Sequence, residues 1–260
     1  MESINLFDCN CMFGPWKEDK GETFSSLEEL HIYMNKYSID KILVNHSLSK
    51  FFNPQTGNKL LSDTVKGESN IKQCWILLPE SLELMEQTGG FIDSLKSNNV
   101  SGIRLFPKLH GYCFKEWIMY DLLKLLEKIK MPVFVDCCLE HWDDKFDWQE
   151  IYDICMSFPD LPVILVRMGI GSNRNLYPLL KKFDNLYFET SYYQVNRGIE
   201  YTVKKFGAGR MLFGTGAPVY ESGCVISMLY FADISNEDKT LIAGENMSSL
   251  IRRIDYIGMG

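Results

Sequence analysis

The run Pro162-Val163-Ile164-Leu165-Val166-Arg167-Met168-Gly169, then residues 173–183, then Leu186-Tyr187-Phe188-Glu189-Thr190-Ser191, decides the fold. The first run is short, continuously apolar and β-branched, which suits a strand buried on both faces. Residues 173–183 carry helical period, and a second buried strand follows. Strand, helix and strand in that order form a βαβ unit with a right-handed crossover and a parallel sheet. The same rhythm extends in both directions. Strands are expected at 4–8, 41–46, 73–78, 102–106, 132–137, 162–167, 186–191 and 211–215. Helices are expected at 25–37, 117–130, 147–158, 173–183, 195–206 and 223–232, with a closing helix over 236–254. Eight units argue for one closed α/β barrel, a (β/α)8 TIM barrel, spanning 1–260, since such a barrel needs roughly 250 residues.

Residues 47–70 break the rhythm. They contain Asn53-Pro54-Gln55-Thr56-Gly57-Asn58 and little periodicity. Following the second strand, they read as an extra loop over the C-terminal face of the barrel, either a lid or side wall, or a plain surface excursion.

Composition narrows the function classes. Hydrophobic residues make up 46% of the chain, enough to fill a large core, and the net charge is −7. That charge disfavours nucleic acid and anionic membrane as partners, because both need a positive field. No apolar run approaches the roughly 20 residues of a membrane span. The opening Met1-Glu2-Ser3-Ile4-Asn5 lacks a basic-then-apolar leader layout, so a cytoplasmic location is expected. The eight cysteines, several inside apolar runs, are expected to be reduced thiols. Strand alternation is expected to turn Cys9 and Cys11 outward if Asn10 and Met12 face the barrel axis.

The motifs, in order, resemble the amidohydrolase superfamily, in particular its amidohydrolase-2 branch of decarboxylases and lactone hydrolases. Phe7-Asp8-Cys9-Asn10-Cys11-Met12-Phe13-Gly14 is similar to the first strand of that branch, usually Asp-x-His-x-His-x-Gly. Gly102-Ile103-Arg104-Leu105-Phe106-Pro107 resembles its fourth strand and Pro132-Val133-Phe134-Val135-Asp136 its fifth. Pro162 to Gly169 resembles the sixth, usually ending His-x-Gly. Arg210-Met211-Leu212-Phe213-Gly214-Thr215-Gly216-Ala217-Pro218 resembles the eighth, usually Gly-Ser/Thr-Asp-x-Pro. Gly244-Glu245-Asn246 resembles the turn before the closing helix. The resemblance implies a TIM barrel of hydrolytic or decarboxylating ancestry. It also implies that the metal ligands are replaced. The paired first-strand histidines fall on Asn10 and Met12, the fifth-strand ligand on Asp136, the sixth-strand histidine on Arg167 and the eighth-strand aspartate on Gly216. Zinc needs three or four N, S or O ligands, so the usual metal is expected to be absent and no cofactor is expected.

Barrel sites form where strand C-terminal ends converge. Around that ring stand Asn10, His46, Arg104, Asp136, Arg167, Glu189 or Ser191, and Thr215, with Lys108, His110 and Tyr112 in the loop after the fourth strand. Asp136, His46 and His110 are the acid–base candidates, because catalysis without a metal needs a positioned proton carrier. Asn10, Arg104, Lys108, Tyr112, Arg167, Glu189 and Ser191 are the binding candidates, with the arginine forks suited to a carboxylate or phosphate. The opposing reading makes the arginines partners of Asp136 and Glu189, filling the space of a lost metal. Lesser candidates are Cys138 as a nucleophile, His31 and His141, and the glycine turn Gly169-Ile170-Gly171-Ser172-Asn173 as a phosphate loop. Asn10, Asp136 and Glu189 could alternatively hold magnesium or calcium. The expected partner is a small anionic molecule, and a homodimer is compatible with a barrel of this size. Three functions follow. One is a metal-independent hydrolase or lyase acting on a small anionic or sugar-derived substrate. The second is a catalytically degenerate barrel that binds a small ligand or a protein partner. The third is a metallohydrolase with an unusual ligand set.

Overall fold

Val163–Val166 (β6) is buried along its length and pairs in parallel with Val133–Asp136 (β5) on one side and Leu186–Glu189 (β7) on the other. This is the βαβ rhythm in three dimensions. The computed structural model describes residues 4–15, 23–86, 90–139, 145–169 and 171–256. Eight parallel strands lie in chain order: Leu6–Phe13 (β1), Ile39–His46 (β2), Ile71–Ile76 (β3), Val100–Leu105 (β4), β5, β6, β7 and Met211–Leu212 (β8). Backbone bonds after β8 close the ring onto β1. Cys9 N–H donates to the Phe213 carbonyl at 2.9 Å, Gly216 N–H to Asn10 at 2.8 Å and Met12 N–H to Ala217 at 2.8 Å. The fold is the (β/α)8 barrel.

Two apolar layers follow from strand alternation. The larger lies between strands and helices. The smaller fills the barrel axis with Phe7, Cys9, Leu43, Cys74, Phe134, Ile164, Val166 and Leu212, and is plugged from below by Met247 and Leu250. Gly102 belongs to this axis. A Cβ there would stand 3.0 Å from the Phe134 ring, so the small residue makes room for the large one.

Cys9 corrects the alternation argument. Asp8 pairs with Ile42 but Cys11 pairs with Val44, three residues on β1 against two on β2. This bulge breaks the alternation. Cys9 turns inward with Leu43, Cys74 and Phe134, and Asn10 also reaches the barrel mouth, while Cys11 packs outward as expected. All eight cysteines are free thiols.

Residues 47–70 are corrected too. They form Ser47–Phe51 (α2) and Pro54–Thr64 (α3), and α3 is the crossover between β2 and β3. The start of α3 carries a legible signal: Asn53 Oδ1 accepts from Thr56 N–H at 2.8 Å and Pro54 opens the helix. Gly57 obscured it. A Cβ at Gly57 would lie 2.2 Å from the Ser49 backbone nitrogen, so α2 and α3 touch through a residue that weakens helical period. The β3–β4 connection holds two short helices, Ser81–Glu86 (α4) and Phe91–Ser97 (α5), which the sequence reading had not marked. The crossovers Leu27–Tyr37 (α1), Glu116–Lys128 (α7), Trp148–Ser157 (α8), Asn173–Lys182 (α9), Gly198–Phe206 (α10) and Ser222–Phe231 (α11) match expectation, while the expected loop after β4 contains one helical turn, Pro107–His110 (α6). The closing segment is Asn236–Thr240 (α12), a π turn over Leu241–Glu245 and Asn246–Arg252 (α13) instead of one even helix. No helix among the described residues is long and apolar enough to cross a membrane.

Asp8 ties the closing seam. Its carboxylate accepts from Thr215 N–H at 2.9 Å, Thr215 Oγ1 at 2.5 Å and Asn10 N–H at 3.0 Å. Tyr33 of α1 donates to Thr215 Oγ1 at 3.0 Å and shares a hydrogen bond with Ser222 of α11 at 2.8 Å. Burial, more than the nearby Glu189, pushes the Asp8 carboxyl up to about 7, against the pull of its donors. An unfolded aspartate titrates near about 4. Between about pH 4 and pH 7 the folded chain therefore holds a proton that the unfolded chain has lost, and Asp8 makes stability fall as pH rises across that window. Asp8→Asn is expected to remove this slope, as read from urea melts compared at the two ends of the window.

Candidate functional site

The ends of β4, β5 and β6 bring Arg104, Asp136 and Arg167 together. Asp136 is wholly buried, and Arg104 and Arg167 are 4% and 14% exposed. Arg104 Nη2 donates to Asp136 Oδ2 at 2.7 Å. Arg167 Nε lies 3.0 Å from both carboxylate oxygens and its Nη2 2.5 Å from Oδ1. Cys138 adds its N–H at 3.1 Å and its thiol at 2.9 Å. Burial alone would raise this carboxyl, but the two guanidiniums outweigh it and hold Asp136 far below the usual carboxylate range.

The network continues around the ring. Arg104 Nη1 donates to Asn10 Oδ1 at 2.9 Å, and Asn10 Nδ2 donates to Ser191 Oγ at 3.0 Å. Ser191 donates through Oγ and N–H to Glu189 at 2.7 and 2.6 Å, and Arg167 N–H donates to Glu189 Oε1 at 2.9 Å. Glu189 makes no ion pair of its own within this ring among the described residues, and burial raises its pKa. Six residues named from sequence, Asn10, Arg104, Asp136, Arg167, Glu189 and Ser191, thus form one connected cluster. Two strand ends adopt left-handed backbone to build it, Cys138 at φ 49° and Arg167 at φ 55°. Non-glycine residues adopt this conformation uncommonly, and the others among the described residues, Ser38, Asn99, Lys130 and Arg197, lie at turns and helix ends.

The other candidates lie at its edge. His46 is buried and accepts from Leu48 N–H through Nδ1 at 3.0 Å, capping α2. Its ring is packed against Gly14, where a Cβ would lie 2.8 Å from Nε2. Burial lowers its pKa, which favours the neutral imidazole. His110 Nε2 is 2.8 Å from the Lys50 carbonyl, and its Nδ1 is buried with no hydrogen-bond partner among the described residues. Lys108 is exposed on α6, and Tyr112 is half-buried with its phenol pKa raised by that burial. Cys138 reaches the cluster as a thiol whose pKa is pushed up to about 12, chiefly by burial and Asp136, which leaves it a poor nucleophile. His31 pairs with Glu68 at 3.3 Å outside the mouth. His141 lies outside the described residues, as does Ile170 of the glycine turn.

Lys50 was missed. It stands on α2, four residues past the end of β2, inside the stretch read as a loop. Its position just beyond a barrel strand was the available signal. Its Nζ is 4.8 Å from the Phe51 ring centre and 5.1 Å from that of Phe106, and Arg104 Cζ is 5.0 Å from the same Phe106 ring. Burial, then Arg167, pushes the Lys50 amine down to about 8. Near the mouth, three basic side chains face one firmly ionised carboxylate.

No family model and no curated protein matches this sequence. Solved structures match in fold. The crystal structure of 5-carboxyvanillate decarboxylase LigW from Sphingomonas paucimobilis aligns with TM-score 0.72 at 12% identity, covering 96% of this chain and 99% of that one. An amidohydrolase II structure aligns at 0.71 and 12%, covering 95% and 100%. A dihydroxybenzoic acid decarboxylase from Polaromonas sp., solved with manganese and 2-nitroresorcinol, aligns at 0.71 and 13%, covering 96% and 97%. The chain shares the (β/α)8 barrel fold of these structures. At these identities the likeness is one of architecture.

The residues present do not fit a cation such as that manganese. Among the described residues, no group of three or more His, Cys, Asp or Glu could hold a metal ion. Asp136 is taken by two guanidiniums, whose charge would repel a cation beside it. Gly216 has no side chain to offer, and a Cβ there would sit 2.4 Å from the Tyr220 ring. That ring, stacked on Tyr192 at 4.9 Å, takes the space beside Gly216.

Breaking a buried pair leaves uncompensated charge, at a cost of about 3–5 kcal/mol. Asp136→Asn is expected to lose about that much stability at neutral pH in urea denaturation. The depressed folded-state pKa means that the contribution exists above about pH 4 and is lost as pH falls further. The gap between variant and natural chain should therefore close in acid.

Proposed function

We propose that this barrel binds a small organic anion at its mouth. We further propose that it acts on that anion as a metal-independent hydrolase or lyase, of the lactone-, ester- or amide-hydrolysing or decarboxylating type. The single observation that carries the reading is the positive excess where Arg104, Arg167 and Lys50 face Asp136 on the decarboxylase architecture. A guanidinium recognises a carboxylate through directed N–H donors. Arg104 Nε is buried with no hydrogen-bond partner among the described residues, a donor the protein leaves unused. Asp136 serves this site as the fixed charge that aligns both forks. Lys50, near half-protonated at about pH 8, and Glu189, raised by burial, are the groups suited to move a proton. The half-buried Tyr192–Tyr220 stack supplies a face for an organic ring or chain.

A specific observation favours a second reading, binding without turnover. Asp136 receives donors from Arg104, from Arg167 and from both the N–H and the thiol of Cys138. A carboxylate so engaged transfers no proton itself.

Small aromatic carboxylates, aliphatic carboxylates and sugar acids, each beside its neutral amide, test both readings by thermal shift and calorimetry in the presence of a chelator. A fitting carboxylate at a hundred times its Kd should raise Tm by about 5–10 °C, equivalent to roughly 2.7 kcal/mol. Its amide should not, and Arg167→Gln should lose most of the shift. Product formed from that ligand supports the enzyme, and tight binding with no product on long incubation supports the binder. Binding or turnover that appears only when a divalent cation is added sinks both.

A further inference from the structure

The geometry points to Lys50 as a nucleophilic amine that captures a small oxo carboxylate, its carboxylate held by the guanidinium pair and its carbonyl carbon joined to Nζ as an iminium. This rests on the anion-binding reading above and names the substrate class of that site. Four observations converge on Lys50. It stands on α2 immediately beyond β2, at the end of the barrel where the strand ends carry the polar cluster. Its backbone is held in place, with its carbonyl bonded to His110 Nε2 at 2.8 Å and its helix capped by His46. Its stem and amine lie against Phe51 and Phe106. The same Phe106 ring also packs against the Arg104 guanidinium, 5.0 Å from its centre. An amine that is half-buried and near two guanidiniums sheds its proton more readily than a solvated lysine, and the freed lone pair is the nucleophile.

The chemistry balances without any further reagent. The neutral Nζ adds its lone pair to the carbonyl carbon, and the carbonyl oxygen takes a proton. The resulting carbinolamine expels that oxygen as water with one more proton, leaving a C=N⁺ bond to Lys50. If the captured molecule is a 3-oxo carboxylate, the electron pair of its C–CO₂ bond can move into the iminium as carbon dioxide departs. The enamine then takes a proton at carbon, and water hydrolyses the iminium to release the ketone and restore the lysine. The iminium thus provides an electron sink built from the chain itself.

Reductive trapping tests this. The full chain is incubated with sodium cyanoborohydride and pyruvate, acetoacetate or the neutral ketone acetone, and adducts are read by intact mass and peptide mapping. Pyruvate should give one adduct per chain, on Lys50, at a rate roughly a hundredfold above any other lysine at neutral pH, in line with the larger share of free amine. The rate should rise with pH and level off above about 8, and acetone should react at least tenfold more slowly (an order-of-magnitude expectation for loss of a charge-assisted anchor). Lys50→Arg keeps the charge and should abolish the adduct. Adducts scattered over exposed lysines, or surviving in Lys50→Arg, overturn the proposal. A pyruvate-dependent rise in Tm with no adduct on Lys50 overturns the iminium and leaves anion binding standing. Equal labelling of Lys50 by acetone and pyruvate overturns the carboxylate requirement while the amine chemistry stands.

Discussion

A buried carboxylate held between two guanidiniums organises the mouth of this barrel. Asp136 sits at the end of β5, and its partners come from the ends of β4 and β6, so one charge fixes three neighbouring strands. Taking three ionised groups out of water is costly, and mutual attraction in a low-dielectric interior offsets that only when the geometry is good and spare donors are satisfied. Here the spare donors run on through Asn10 and Ser191 to Glu189, bringing β1 and β7 into the same network. Burial and these charges together set the titrations at the mouth. The guanidiniums hold Asp136 ionised, burial and then Arg167 lower Lys50, and burial raises Glu189, which has no ion pair in the ring among the described residues.

The backbone was reshaped to allow it. The bulge in β1 brings Asn10 to the axis together with Cys9, which a regular strand could not do. Cys138 and Arg167 take left-handed conformations that aim a thiol and a backbone N–H at Asp136 and Glu189. Gly216, also at positive φ, lets the Tyr220 ring lie against the segment that follows β8. Together these features give a mouth ordered by fixed charges.

Much of the fold was legible because parallel barrel strands are short, apolar and regularly spaced, and their helices have strong period. Legibility failed where local signals opposed one another. Gly57 weakened α3 because α2 needs close approach there, although Asn53 and Pro54 announced its start. The short helices α4 and α5 were too brief to show a period. At the mouth, six of the residues named from strand ends share one network, because any residue at that end faces the same space. His46 and His110 stand at the same rim yet bond to backbone groups of α2, and no sequence pattern distinguishes a histidine that caps a helix from one that faces a ligand.

By itself the sequence indicated the barrel and placed Asn10, Arg104, Asp136, Arg167 and Glu189 at strand ends. Those follow from periodicity and residue identity, which are local properties of the chain. Only the tertiary structure decided that Arg104 and Arg167 both close on Asp136, that Cys9 turns inward, and that Lys50 stands over the same ring as Arg104. Each of these depends on register, backbone sign or the meeting of segments tens of residues apart, and such distances are set by packing and not by spacing along the chain.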